Sequence, residues 1–139
     1  MDTFIFVTAA LFFAFELWKM VNSKYIAYAQ SYILSNKETW VGDYGDKESP
    51  NHDLAKTCVS LSTISLLYAL WVLIILIMGM GILGLGMTAL SIISYYLCKK
   101  LNPTLWSYVL VGDSILSMLL ISYTVIYPMI AGYDMVRWF

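Results

Sequence analysis

Residues Thr57 to Cys98 read TCVSLSTISLLYALWVLIILIMGMGILGLGMTALSIISYYLC, forty-two consecutive positions (57 to 98) without one Asp, Glu, Lys, Arg or His. At about 1.5 Å per helical residue this run is roughly twice the ~30 Å hydrocarbon core of a bilayer, so it suits two spans folded back on each other. The glycines of Met78-Gly79-Met80-Gly81, then Gly84 and Gly86, are the residues able to break so apolar a run, which puts the reversal near Gly79–Gly81. An all-α, polytopic membrane protein is expected, with helices over about 54–78 and 82–98 from this run and two more from its flanks.

The composition agrees. Of 139 residues, 60% are hydrophobic and 12% charged, with a mean hydropathy of +0.74, against roughly 45–50% and ~25% in soluble domains. A net charge of −1 offers no basic field to nucleic acid, which is excluded as a partner. Cys58 and Cys98 open and close the uncharged run, near one membrane face if it folds back. Their spacing matches no metal motif, and they read as small apolar residues. No metal and no cofactor is expected.

Upstream, Thr3 to Met20 reads as a retained first span. Asp2 is the only early charge, no basic n-region is present, and no small-x-small cleavage site precedes Glu16 and Lys19. No Gly or Pro follows before Gly42, so one helix over about 3–34 is expected, with Tyr25, Tyr28 and Tyr32 at i, i+3 and i+7 as an interfacial stripe. Residues 35–53 form a polar loop with Gly42, Gly45, Pro50 and the lone His52, and a helical start near Ser49-Pro50 or Asp53. Downstream, Asn102-Pro103 has the form of an N-cap followed by Pro at the first helical position, and a helix runs over about 103–127 until Pro128 disturbs it.

Four such helices make one domain, a four-transmembrane-helix bundle with both termini on one side. The first loop and its flanks carry Lys19, Lys24, Lys37, Lys47 and Lys56, the last loop Lys99 and Lys100, and the opposite side only Arg137. This asymmetry expects loops 22–56 and 99–102 to be cytoplasmic and both termini outside, in an inner or plasma membrane.

With that topology, Asp113 lies ten residues into the last helix (103 to 113), about 15 Å deep. An ionisable group there costs at least ~2.5–3.5 kcal/mol and should face the bundle interior. At 100° per residue, Trp106, Asp113, Ser117, Thr124 and Tyr127 share one polar stripe. The third helix carries a matching face of Gly81, Gly84, Thr88, Ser91 and Tyr95, small and hydroxylated residues of the kind that let transmembrane helices approach closely. The two seams are expected to meet, with Ser65, Tyr68, Thr88 and Ser91 nearest Asp113 in depth. Glu16, the second intramembrane acid, is expected to pair locally with Lys19 at i+3, Lys19 reaching toward the headgroups. The alternative is that Glu16 and Asp113 face one cavity, with Tyr95 near Glu16 in depth, laying out a proton or cation path.

Enzymatic motifs are poor. Intramembrane aspartyl proteases need facing aspartates in YD and GxGD settings, whereas Tyr133-Asp134 follows the last helix and Leu110-Val111-Gly112-Asp113 lacks the first glycine. No nucleophile, base and orienting group stand at defined spacing, no phosphate-binding Gly loop precedes a helix, and no TVGYG filter is present. A proton-transfer or metal role for His52 beside Asp53 lacks a second His or Cys nearby.

The loop from Val41-Gly42-Asp43-Tyr44-Gly45-Asp46 through Leu54-Ala55, set between a first and a second helix in a chain of 139 residues, resembles the segment entering the second helix of the membrane-associated glutathione and eicosanoid enzymes. That resemblance implies four spans, a trimer and a lipophilic substrate. Where those enzymes carry Arg, Asn and Glu early in the second helix, this chain reads Lys56-Thr57-Cys58-Val59-Ser60-Leu61.

The leading expectation is a small non-enzymatic membrane protein that assembles with itself or with a larger membrane complex, its helix 3/helix 4 seam forming a contact or a narrow ion, proton or solute path. A small membrane enzyme of the architecture just described and a holin-like pore former are the alternatives.

Overall fold

The structure, a computed structural model, describes residues 2–100 and 103–136; the expected Asn102 cap and Arg137 lie outside them. The chain is helical, with no strand among the described residues: α1 (Asp2–Val21), α2 (Ser23–Ser35), α3 (Trp40–Gly45), α4 (His52–Ile77), α5 (Gly81–Lys100), α6 (Pro103–Ile121) and α7 (Tyr127–Ile130), the last two joined by a π-helical turn at Ser122–Ile126. Thr3–Val21, His52–Ile77 and Thr104–Ile130 are long and apolar enough to cross a membrane, and Gly81–Leu97 is a shorter apolar helix. The outward side chains suit hydrocarbon better than water: Leu66 is 69% exposed and Ile77 86%.

The single helix expected over 3–34 is divided at Asn22. Its backbone leaves the helical region (φ −102°, ψ 20°), and its side-chain amide donates to the Trp18 carbonyl at 2.9 Å. Asn competes in this way for backbone partners and is a weak helix former, so a joint can form here without Gly or Pro. Beyond the joint, α2 turns Ser23, Ile26, Ala27 and Ala29 inward. These mostly small residues let it lie against both α4 and α6.

The reversal between α4 and α5 falls at Gly79, where φ is +92°. The Met80 N–H donates to the Ile75 carbonyl at 2.9 Å and the Gly79 N–H to the Leu76 carbonyl at 3.1 Å, the two bonds of a Schellman cap. Ile75 and Met80, the hydrophobic pair of that cap, are fully buried. Close approach follows directly. A Cβ on Gly84 would strike the Leu76 side chain of α4, and one on Gly86 would lie 2.6 Å from Leu120 Cδ2 of α6. Gly84 thus serves the α4 contact, and Gly86 brings α5 onto α6.

In α7, Pro128 lacks the N–H that would reach the Thr124 carbonyl. The π turn absorbs the misfit, and the Val136 N–H, returning from the tail, donates to the Thr124 carbonyl at 3.0 Å. Gly132 (φ +83°) reverses the chain for this return. Met135 then joins a core with Ile5, Ala9, Trp71, Ile75, Met80, Leu83, Met87, Ile121 and Val125. In this half of the molecule α1 and α4 interleave aromatic rings: Trp71 Nε1 donates to Thr8 Oγ1 at 2.8 Å, and the Phe12 ring sits 4.3 Å from that of Tyr68.

The expected loop 35–53 contains α3 and is ordered around Asp43. Its carboxylate accepts from the Tyr32 hydroxyl and from Ser49 Oγ at 2.9 Å. His52, which begins α4, sets Nδ1 3.3 Å from the Asp43 carbonyl and stacks on Tyr44. Tyr25 and Tyr28 of the expected stripe are exposed, whereas Tyr32 is turned to this loop.

Replacing Gly84 by Leu should overpack the α4/α5 contact and lower stability by about 1–3 kcal/mol. Thermal unfolding in detergent, followed by circular dichroism, measures the loss. An unchanged midpoint would mean that α4 and α5 are not held this close.

Candidate functional site

Three ionisable side chains converge where the C-terminal end of α1 meets the middle of α6. Lys19 Nζ lies 3.0 Å from Glu16 Oε2 and 2.8 Å from Asp113 Oδ2, to which it donates a hydrogen bond. The Glu16 side chain is 3% exposed, that of Lys19 13% and that of Asp113 12%. Lys19 therefore does not reach out toward an interface as expected. It keeps its local acid and also crosses to α6. The physical reason is the joint at Asn22: Lys19 lies in the last turn of α1, but α2 continues the chain past it and packs on α6, so this helix end is covered.

The triad borders a cavity of about 710 Å³. Around it stand Ser65 and Tyr68 of α4, Thr88 and Ser91 of α5, Ser117 of α6 and Gln30 of α2, with Phe15 beside them; Leu61, Leu73, Leu76, Leu85, Ile92 and Leu110 supply apolar wall. A second cavity of about 650 Å³ adjoins it through Gln30, Leu61 and Ser65, and runs toward Ile33, Leu34 and Cys58, lined also by Ser62, Tyr95 and Trp106. The two lie where α4 and α5, tied together at Gly79, diverge. Below Ser65, α4 packs on α2, while Thr88, Ser91 and Tyr95 of α5 stay exposed. On the far side of the triad the packed core of Ile5, Trp71, Met80 and Ile121 closes the route.

Two polar groups at this cavity lack a well-formed hydrogen bond. The Tyr68 hydroxyl faces Glu16 yet has no hydrogen-bond partner, and Glu16 Oε2 holds its contact with Lys19 without hydrogen-bond geometry.

Of the residues picked out in the sequence, the structure brings Glu16, Asp113, Ser65, Tyr68, Thr88, Ser91 and Ser117 to one cavity. Tyr95 lies on the adjoining one. Thr124 is buried farther along, donating to the Leu120 carbonyl at 2.7 Å, and Tyr127 is 64% exposed. Both were placed on the Asp113 stripe by a regular helical wheel; the i→i+5 turn at Ser122–Ile126 adds a residue, roughly 100° of phase, and swings Tyr127 away. Gly81 and Gly84 are buried at the α4/α5 end and not at Asp113. Thr88 and Ser91 of α5 and Ser117 of α6 line the same cavity.

Lys19 as the partner of Asp113 and Gln30 as a lining group escaped the sequence reading. A signal for Lys19 existed. Asp113 has no opposite charge at i±3 or i±4 on its own helix, and Lys19 is the basic residue of an apolar helix. His52, bonded to the Asp43 carbonyl, lies outside this site, and no metal-holding group of His, Cys, Asp and Glu occurs among the described residues.

Comparison with protein-family models, curated proteins and solved structures finds no match to this chain.

Lys19→Met should destabilise the fold by about 3–5 kcal/mol, the cost of leaving buried charge uncompensated, and Asp113→Asn by less, because Lys19 keeps Glu16. Combining Glu16→Gln, Lys19→Met and Asp113→Asn should recover much of the loss, since no unpaired charge remains. Unfolding midpoints of the four proteins in one detergent provide the test; a triple variant as unstable as the sum of its parts would show that the charges are not coupled.

Proposed function

We propose that this chain is a multi-pass integral membrane protein in which α1, α4, α5, and α6 with α7 form four spans, and that the triad-lined cavity is an intramembrane chamber on a path for a proton, an ion or a small solute. The observation that carries this reading is the open space beside the charges. A purely structural ion pair gains from tight packing, because every neighbouring atom excludes water and lends contact. Here three ionisable groups border a cavity of about 710 Å³ rimmed with hydroxyls and an amide, an arrangement that fits residues kept in a membrane for use.

With Lys19 withdrawn into the triad, the loops retain Lys24, Lys37, Lys47, Lys56, Lys99 and Lys100 against Arg137 on the other side. The bias still favours cytoplasmic loops at 22–56 and 99–102 and both termini outside. The chamber then opens toward the cytoplasmic half. A second reading, an assembly subunit that lends the α5 face to another copy or a larger complex, is favoured by the exposed Ile92, Ile93, Tyr95 and Tyr96. The enzyme reading is less well supported, since His52 and Asp43 are engaged in holding the loop together.

Two experiments test the proposal. In vesicles with an internal pH dye, the wild-type protein should dissipate an imposed pH or potassium gradient faster than protein-free vesicles, and Asp113→Asn should return the rate to the protein-free level. A folded wild-type protein with no flux of either kind would favour the assembly reading. For topology, a Cys58→Ala, Cys98→Ala background carrying Lys47→Cys should react with an impermeant maleimide only after the cells are opened, and Tyr133→Cys should react in intact cells.

A further inference from the structure

This inference rests on the reading of the triad cavity as a working site and adds what the cavity takes. We infer that it binds a monovalent organic cation with an apolar body, the charge set beside Glu16 and Asp113 and exchanged there for a proton.

Charge decides the sign of the ligand. The groups facing the site are Glu16 and Lys19 from α1, Asp113 from α6 and the Tyr68 phenol from α4; α2 and α5 contribute only the uncharged Gln30, Thr88 and Ser91. With both acids and the lysine ionised, the triad carries −1. One proton or one monovalent cation brings it to zero, and an anion or a neutral ligand does not. In low dielectric that difference selects strongly. Proton and cation therefore compete for one neutralising place. As the cation arrives, the proton leaves a carboxyl for water, and the net charge of the site is conserved.

Size and wall chemistry decide the body. About 710 Å³ lies within the range of sites for drug-sized molecules, roughly 300–1,000 Å³. A bare alkali ion would leave the leucine wall of Leu61, Leu73, Leu76, Leu85 and Leu110 facing empty space. Aromatic faces are already placed for a cation: the Phe15 ring centroid is 6.0 Å from Lys19 Nζ, and Tyr68 stands on the same cavity. The buried Tyr68 hydroxyl has no hydrogen-bond partner, and Glu16 Oε2, though ion-paired with Lys19 at 3.0 Å, accepts no hydrogen bond. The adjoining cavity, continuous through Ser65 and Leu61, gives the apolar body room to extend. Both cavities open between α4 and α5, so an amphiphilic cation can enter from the lipid side without unpacking the core around Trp71 and Ile121.

The test is equilibrium binding of tetraphenylphosphonium to the purified protein in detergent by calorimetry, with tetraphenylborate as the control of matched shape and opposite charge. Tetraphenylphosphonium should bind saturably and tetraphenylborate should not. Titration in buffers of different protonation enthalpy should show release of up to about one proton per cation, as linkage requires. Asp113→Asn should weaken binding about tenfold or more, equivalent to about 1.4 kcal/mol. Ser91→Trp, an exposed position whose larger side chain fills the cavity and leaves the triad intact, should also weaken it, which covers the case of an unfolded Asp113 variant. Equal binding of both ions, binding indifferent to Ser91→Trp, or binding without proton release would overturn the inference. Flux in vesicles with no saturable tetraphenylphosphonium binding would overturn it too, while leaving the path reading in place; binding without flux would support it and remove that reading.

Discussion

The Lys19 ammonium held between two carboxylates is the contact on which the rest of the architecture depends. An unpaired acid on an apolar helix is among the most expensive features a chain can bury, and Asp113 has no partner within α6. Its cation comes from a residue 94 positions away, at 2.8 Å. Holding Lys19 there fixes the last turn of α1 against the middle of α6. It also requires the chain to continue inward after Val21, since the lower half of α6 would otherwise lose its neighbour. The joint at Asn22 and the small buried face of α2 meet that requirement, and Ile26 and Ala27 close on Trp106 and Leu110.

On either side of the triad the packing differs. Toward Gly79 the helices interdigitate through Trp71, Met80, Leu83 and Ile121, and Gly84 and Gly86 make room for the Leu76 and Leu120 side chains. Toward the polar loop, α4 goes with α2 and α3, α5 stays with α6, and the space between them remains open. One sequence device accounts for both halves. A tight Schellman cap pins α4 to α5 at one end, and nothing comparable ties them at the other. The result is a molecule sealed on one side of its charges and accessible from the other.

The apolar run from Thr57 to Cys98 made α4, α5 and their reversal legible, because length, absence of charge and a lone glycine cluster leave few ways to fold. Pro128 announced a disturbance of the last helix for an equally local reason, its missing N–H, but the helical path continues through it to Ile130. The joint at Asn22 was not legible: asparagines sit inside helices often enough that a single one, with no Gly or Pro beside it, carries little signal. The π turn was hidden as well, since it arises from how Pro128 is accommodated and how the tail returns, and its extra residue took Tyr127 off a face that 100° steps had assigned to it. The convergence of Ser65, Tyr68, Thr88 and Ser91 with Asp113 followed from depth, which survives errors of phase, whereas Ser117 followed from phase on its own helix and the cavity shared with Glu16 was the alternative expectation. The crossing of Lys19 to Asp113 needed the tertiary arrangement, because a local partner at i+3 already explained the lysine.

The separation between Lys19 and Asp113 also has a consequence in time. A chain made from its N-terminus exposes Lys19 before Asp113 exists, and at roughly 5–20 residues per second the interval is about 5–20 s. During it Glu16, one turn back on the same helix, is the acid within reach of the ammonium. The polar segment that follows keeps its acids outside the apolar run, and the run from Thr57 to Cys98 brings no charge to compete for it. Only when α6 emerges does a second carboxylate arrive, and the half-satisfied lysine is then the group that can receive it. Glu16 serves as a chaperone for Lys19 before it is a wall of the site, and the last long helix is recruited by a partner set in place by the first.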